Sequence, residues 1–269
     1  MPYHHGLASF LDSREMDFSS QKQPSILEAA RHWWRDAAAR AGGLAATRAL
    51  FAALWEFARD STPARLRQLY GDADYDWEHR VNTTSAAVGW RDRLLGVFHS
   101  MYQPTEPVVF HEMLDTLIAQ AGLNFGDFTF IDLGSGKGRT LLMASDYPFR
   151  RVVGVELLPA LHRVALENLA QYKSESQKCL ALEALCGDAA EYPLPREPLL
   201  MYLFNPFPES VLRRVLTNLE QSILEHPRPV YVLYHNPLME NVLGDCAPLT
   251  KIGGTHQYSV WCAAIMAGG

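Results

Sequence analysis

The sequence predicts an α/β protein with a doubly wound, mostly parallel sheet of seven strands and a helical N-terminal extension. Three observations carry this. After residue 126, apolar runs such as "FTFIDLG" and "RRVVGVEL" alternate with the helical stretches "RTLLMASDYP" and "PALHRVALENLAQYKS", the pattern of βαβ units. The first run leads directly into the glycine-rich turn "GSGKG", and such a turn between strand and helix places a ligand at the carboxyl end of a sheet. Residues 25 to 60 are instead rich in Ala, Leu and Arg, which favour helices.

The extension reads as two helices separated at Gly42-Gly43, then a third short one in "STPARLRQLYG", with Pro63 in its first turn and Gly71 at its end. Residues 72 to 90 show no sustained period and read as a loop. Trp33 and Trp34 are expected to pack a core rather than to form a ligand platform. A further helix runs from Glu106 to Ala121, with Pro107 in its first turn and Gly122 after it. His111-Glu112 has no second His four residues after the first, so the zinc-protease helix motif is absent. Beyond the first two strands, "CLALEALCGDA", "PLLMYLFNPF" and "PVYVLYHNP" supply three more, with the helix "ESVLRRVLTNLEQSIL" between the last two. "APLTKIGGTHQYSVWCAAIM" ends the sheet with an antiparallel pair. The expected organisation is an extension over residues 1–100, capping the site, and a core domain over 101–269.

The 269 residues are 48% hydrophobic and 20% charged, an ordinary globular balance. No apolar stretch approaches the roughly 20 residues that cross a bilayer, and the N-terminus has no secretory pattern. The four cysteines show no CxxC pairing. They read as reduced thiols of a cytoplasmic protein and supply no metal site. Against 30 acidic residues stand 24 Lys and Arg, a net charge of −6. That balance argues against non-specific nucleic-acid binding and leaves room only for a local basic groove.

The residues around the turn select the ligand. Walker A needs a Lys-Ser/Thr pair closing a longer loop, which "GSGKGRT" does not supply. The dinucleotide fingerprint GxGxxG would need a glycine where Arg139 stands; here the third glycine comes early, at Gly138. Asp132 precedes the turn, where an anion opposes a pyrophosphate and suits an ammonium and a sulfonium. Glu156 ends the second strand, where an acid accepts from ribose hydroxyls. Asp188 follows the third strand, placed to accept from an adenine amine, and Asn205 follows the fourth, beside the emerging methyl. This ordered set points to S-adenosylmethionine ahead of NAD.

Residues 128 to 266 resemble the class I, Rossmann-like S-adenosylmethionine-dependent methyltransferases, in "DLGSGKG", "VVGVEL", "CGDA" and "LFNPF" taken as that family's first four motifs. The resemblance implies that Asp132, Gly134, Ser135 and Gly136 hold the methionine end, Glu156 the ribose, and Asp188 with Ala189 the adenine. Upstream, "MYQPTEPVVFHEML" is similar in arrangement to the segment before the first motif in DOT1-like and related protein-lysine methyltransferases. That similarity implies cofactor contacts for Tyr102 and Thr105. "NPF" departs from the Asn-rich loop of that group and lacks the second proline of "NPPY".

At the acceptor side, the Asn205 oxygen and the Pro206 carbonyl are placed to accept from an amine, and Phe207 to cover it, so that Asn205, Pro206 and Phe207 form the catalytic set. Tyr234, His235 and Asn236 follow the fifth strand, and His235 titrates near neutrality as a base or stands by. The expected activity is methyl transfer to an amine nitrogen of a protein lysine or small molecule. Small-molecule O- or C-methyl transfer is the alternative. Outside the class stand an NAD-dependent oxidoreductase and a non-catalytic S-adenosylmethionine-binding protein.

Overall fold

In the computed structural model, residues 25–60, 73–83, 104–205 and 207–263 are described. Seven strands form one sheet: β1 (Thr129–Leu133), β2 (Arg151–Glu156), β3 (Leu182–Cys186), β4 (Leu199–Phe204), β5 (Val230–His235), β6 (Leu249–Gly254) and β7 (Tyr258–Ala263). Their order is β3-β2-β1-β4-β5-β7-β6. The pairs among β1 to β5 are parallel, whereas β7 runs antiparallel to both β5 and β6. The expected reversed pair at the end of the sheet is therefore present.

The helices are α1 (Ile26–Ala41), α2 (Gly43–Asp60), α3 (Ala73–His79), α4 (Pro107–Ala121), α5 (Arg139–Ser145), α6 (Pro159–Gln171), α7 (Glu209–Glu225) and α8 (Glu240–Gly244). Every residue of β1 is buried, as in a parallel sheet covered on both faces. On one face Ile131, Met201, Leu203 and Val232 meet Leu212, Val215 and Leu219 of α7. On the other, Phe130, Leu200 and Leu233 meet Phe110, Met113, Leu114 and Leu117 of α4. The helical spacing of these residues fixes which side of each helix is buried. Each fully buried Leu or Phe contributes about 1.5–3 kcal/mol.

α1 begins with a capping box in which Ser25 and Glu28 satisfy each other's backbone N–H groups. Gly42, at φ 84°, allows the chain to reverse into α2. The tryptophan pair holds this hairpin together: Trp34 Nε1 donates to Thr47 Oγ1 at 3.1 Å, and Trp33 packs beside Ala29, Leu50 and Leu54. The hairpin meets the core through Leu158, and through Ser210, whose hydroxyl donates to Asp36 at 2.8 Å. Arg40 reaches Glu209 at 3.3 Å. These contacts lie just after β2 and just after β4, on the carboxyl side of the sheet.

The structure corrects one expectation here. Part of the stretch read as a loop is α3, because Tyr75 is buried and His79 stacks on it at 4.4 Å and on Tyr172 at 5.5 Å. Tertiary packing outweighs the weak local propensity. Residues 72 and 84–90 of that loop, the helix expected over 61–71, Tyr102 and Pro206 lie outside the described residues. α8 was not anticipated. Among the described residues, no helix is long and apolar enough to cross a membrane.

Candidate functional site

The turn after β1 is built on backbone geometry that side chains rarely adopt. Gly134, Gly136 and Gly138 have φ of 92°, 55° and 81°, in the left-handed region that glycine enters without steric cost. The N–H groups of Gly134 and Ser135 both reach the Val155 carbonyl, at 2.8 and 3.1 Å, pinning the turn to β2. Ser135 Oγ is buried without a hydrogen-bond partner among the described residues. It lies against Gly154, where an added Cβ would come within 2.7 Å of it and 2.6 Å of Leu141. Gly154 is thus part of the site's construction and was missed; the available signal was a lone glycine inside "VVGVEL".

Two carboxylates flank this turn from neighbouring strands. Asp132 is only 3% exposed and accepts the hydroxyl of Thr140. Burial pushes its carboxyl up to about 7, the Thr140 hydrogen bond opposes that, and the charge of Glu156 adds to it. Glu156 Oε2 accepts the Gly136 N–H and Oε1 the Leu158 N–H, both at 2.8 Å. Burial raises its pKa while the backbone donors of Leu158, Gly136 and Leu157 lower it. Asp188, half-buried beyond β3, accepts the Ala190 N–H at 2.9 Å and lies 3.5 Å from the Arg214 guanidinium. Ala189 beside it is buried. Because β3, β2, β1 and β4 are parallel neighbours, Asp188, Glu156, the glycine turn and Asn205 stand in that order along one edge of the sheet.

Asn205 leaves β4 at φ 43°, a left-handed conformation that Asn tolerates better than most residues. Its side-chain oxygen accepts the Tyr234 hydroxyl at 3.1 Å. Phe207 is half-buried against the core. His235 stacks on Phe204 at 3.9 Å, and its Nδ1 is 2.9 Å from the Tyr202 hydroxyl. Burial lowers its pKa to about 4, so the imidazole is neutral at pH 7. The same Tyr202 hydroxyl is 2.9 Å from Thr105 Oγ1. Tyr202 stands opposite Asp132 in the sheet, so Thr105 lies on the β1–β4 side of the turn. Asn236, at φ 49°, donates its N–H to the Gln257 carbonyl at 2.7 Å. Among the described residues no group of His, Cys, Asp and Glu is arranged to hold a metal ion.

No protein-family model and no curated protein matches the chain. Solved structures similar to it include an RNA methyltransferase from Salinibacter ruber in complex with S-adenosyl-L-homocysteine. That match has 23% identity, covers 61% of this chain and 95% of the other, and has a TM-score of 0.40. Magnesium protoporphyrin IX methyltransferase from Synechocystis PCC 6803 with bound SAM gives 10% identity, coverage of 74% and 95%, and a TM-score of 0.44. A ribosomal protein L11 methylase from Lactobacillus delbrueckii subsp. bulgaricus gives 13% identity, coverage of 58% and 78%, and a TM-score of 0.40. The strand order and register of this chain, not those overlaps, define its fold. It is the Rossmann-like, seven-stranded sheet that the resemblance to class I methyltransferases implies.

Proposed function

We propose that the protein is an S-adenosylmethionine-dependent methyltransferase that acts on an amine nitrogen, of a protein lysine or a small molecule. The observation that carries the cofactor reading is the pair of buried carboxylates, Asp132 and Glu156, on either side of the glycine turn. Burial raises both pKa values and the charge of Glu156 raises that of Asp132 further; a ligand bearing positive charge and hydroxyl donors relieves that, whereas a pyrophosphate makes it worse. The donor set therefore fits S-adenosylmethionine and not NAD. When bound, that cofactor supplies a methyl group on a sulfonium.

The chain's own part is binding and alignment. Asp132, Gly134, Ser135 and Gly136 hold the methionine end, with Thr105 and Tyr102 closing over it. Glu156 takes the ribose, and Asp188 with Ala189 the adenine. Asn205 and the Pro206 carbonyl accept from the amine, and Phe207 covers it. A carboxamide oxygen accepts two hydrogen bonds, so the Tyr234 contact sets its direction while leaving it chemically suited to an amine N–H. Residues 1–100 cap the carboxyl edge, a reading supported by the contacts of α1 with Glu209 and Ser210. The net charge of −6 favours a cationic acceptor over a nucleic acid. All four cysteines are unbridged, in keeping with a cytoplasmic location.

The test has two stages. Calorimetry should find binding of S-adenosylhomocysteine and none of NADH; the reverse overturns the cofactor. Labelled cofactor is then incubated with protein and lysate, and the labelled atom identified. Nitrogen is expected, with turnover rising through the neutral pH range as the amine loses its proton. Label only on oxygen or carbon ends the amine reading and leaves methyl transfer standing.

A further inference from the structure

Arg139 directly follows the last glycine of the turn and is 2% exposed. A guanidinium so buried must have partners, and those among the described residues precede the sheet in sequence. Nε donates to Thr83 Oγ1 at 2.8 Å and Nη1 to the Thr105 carbonyl at 3.2 Å. Nη2 is 3.7 Å from Asp76, and the guanidinium carbon sits 4.6 Å from the centre of the Tyr75 ring. Asp76 in turn accepts both the N–H and the hydroxyl of Thr83. On the other side of Gly138, Lys137 Nζ donates to Asn82 Oδ1 at 3.2 Å. Asn168 of α6 accepts the Asn82 N–H and donates to the carbonyls of Asn82 and Lys137.

Residues 75–83 and Thr105 are therefore fastened to both flanks of the turn. We propose that Arg139 is a positioning residue for the cofactor, holding Thr105 and residues 75–83 closed on the glycine turn so that docking of this segment and cofactor binding are linked. The inference rests on the S-adenosylmethionine reading. Three glycines give the turn a large conformational entropy to lose, and a rigid guanidinium fork fixed to four groups removes part of that cost before the ligand arrives. Linkage is reciprocal, so a bound cofactor must also tighten the segment.

The test compares full-length wild type with Arg139→Lys, which keeps the charge but loses the fork, and Thr83→Val, which keeps shape but loses the hydroxyl that accepts from Arg139 and donates to Asp76. S-adenosylhomocysteine affinity is measured by calorimetry, and amide exchange over residues 75–83 with and without that ligand. Both variants should raise the Kd about tenfold, the weight of one charge-assisted hydrogen bond, and speed exchange of the segment. Ligand should slow that exchange in wild type. A Kd within twofold of wild type in folded Arg139→Lys and Thr83→Val, with only the Tm lowered, reduces Arg139 to a structural group. Unchanged exchange in ligand-saturated wild type overturns the linkage. If Arg139→Lys does not fold, Thr83→Val decides. Failure of wild type to bind the ligand at all is a separate outcome, which removes the cofactor reading and the linkage with it.

Discussion

The Tyr234 hydroxyl donates to the Asn205 side-chain oxygen at 3.1 Å, joining the carboxyl ends of two neighbouring parallel strands. A residue on β5 thereby aims a carboxamide that belongs to the turn after β4. Asn205→Ala should lower kcat by roughly 10- to 100-fold while S-adenosylhomocysteine affinity stays within about twofold, as for a group that acts on the transferring state. Tyr234→Phe should give a smaller loss of the same kind. Steady-state kinetics beside calorimetry separates the two quantities. Full turnover in Asn205→Ala would make "NPF" no more than a turn.

Cofactor affinity should depend on the acids at the strand ends. Glu156→Ala removes the acceptor of the Gly136 and Leu158 N–H groups and with it the group proposed to hold the ribose. The expected loss is about 1–3 kcal/mol of binding free energy. Asp132→Asn and Asp188→Ala should each weaken binding as well. Titration of the three variants checks this; three unchanged affinities would remove the assignment.

Asp132 makes stability fall with rising pH. Its folded-state pKa is raised from the ordinary 3.8 to about 7, chiefly by burial. The folded chain thus holds this proton more tightly, and the stability it contributes is lost as pH climbs through that window. Asp132→Asn should raise stability at pH 8, by on the order of 2–4 kcal/mol relative to its effect near pH 4. His235 has the opposite sign: its pKa is lowered from 6.5 to about 4, so its contribution is lost as pH falls through that range. Thermal denaturation of both proteins between pH 4 and 8 reads this out. An equal effect of the substitution at both ends would count against a burial-raised Asp132.

Gly154→Ala should destabilise the fold by about 1–3 kcal/mol through overpacking. The added methyl meets Leu141 and Ser135 at 2.6 and 2.7 Å, and Ser135 belongs to a turn that cannot retreat without breaking its bonds to Val155. Urea unfolding measures the loss. Wild-type stability in the variant would show that the turn yields.

How much of this is legible in sequence depends on how local each cause is. The buried strands are continuous apolar runs, so "FTFIDLG" and "PLLMYLF" announce a parallel sheet by themselves. The glycine turn and the acids that end strands are equally local. α3 is not, because "ADYDWEH" is helical only through Tyr75 and His79 packing on distant groups. Arg139 reads in sequence merely as a missing glycine, since its partners Asp76, Thr83 and Thr105 lie far upstream. The Thr105–Tyr202–His235 hydrogen bonds join β4 and β5 to the irregular segment before α4, and no periodicity within any of these signals the contact.

The placement of β7 between β5 and β6 has a consequence for how the chain is made. β7 is last of the seven strands in sequence, yet it is not at a rim. Until residues 258–263 leave the ribosome, β5 exposes a free edge, and β6 lacks its only strand partner among the described residues. An open edge of that kind invites pairing with other chains. β7 then pairs locally with β6 across the short turn at residues 255–257 and non-locally with β5, and the second pairing is the slow step that completes the sheet. During translation, a nascent chain stalled before residue 258 would present a sticky, half-built sheet to its neighbours, so the aggregation risk of this fold is concentrated in the interval between the emergence of β5 and that of β7.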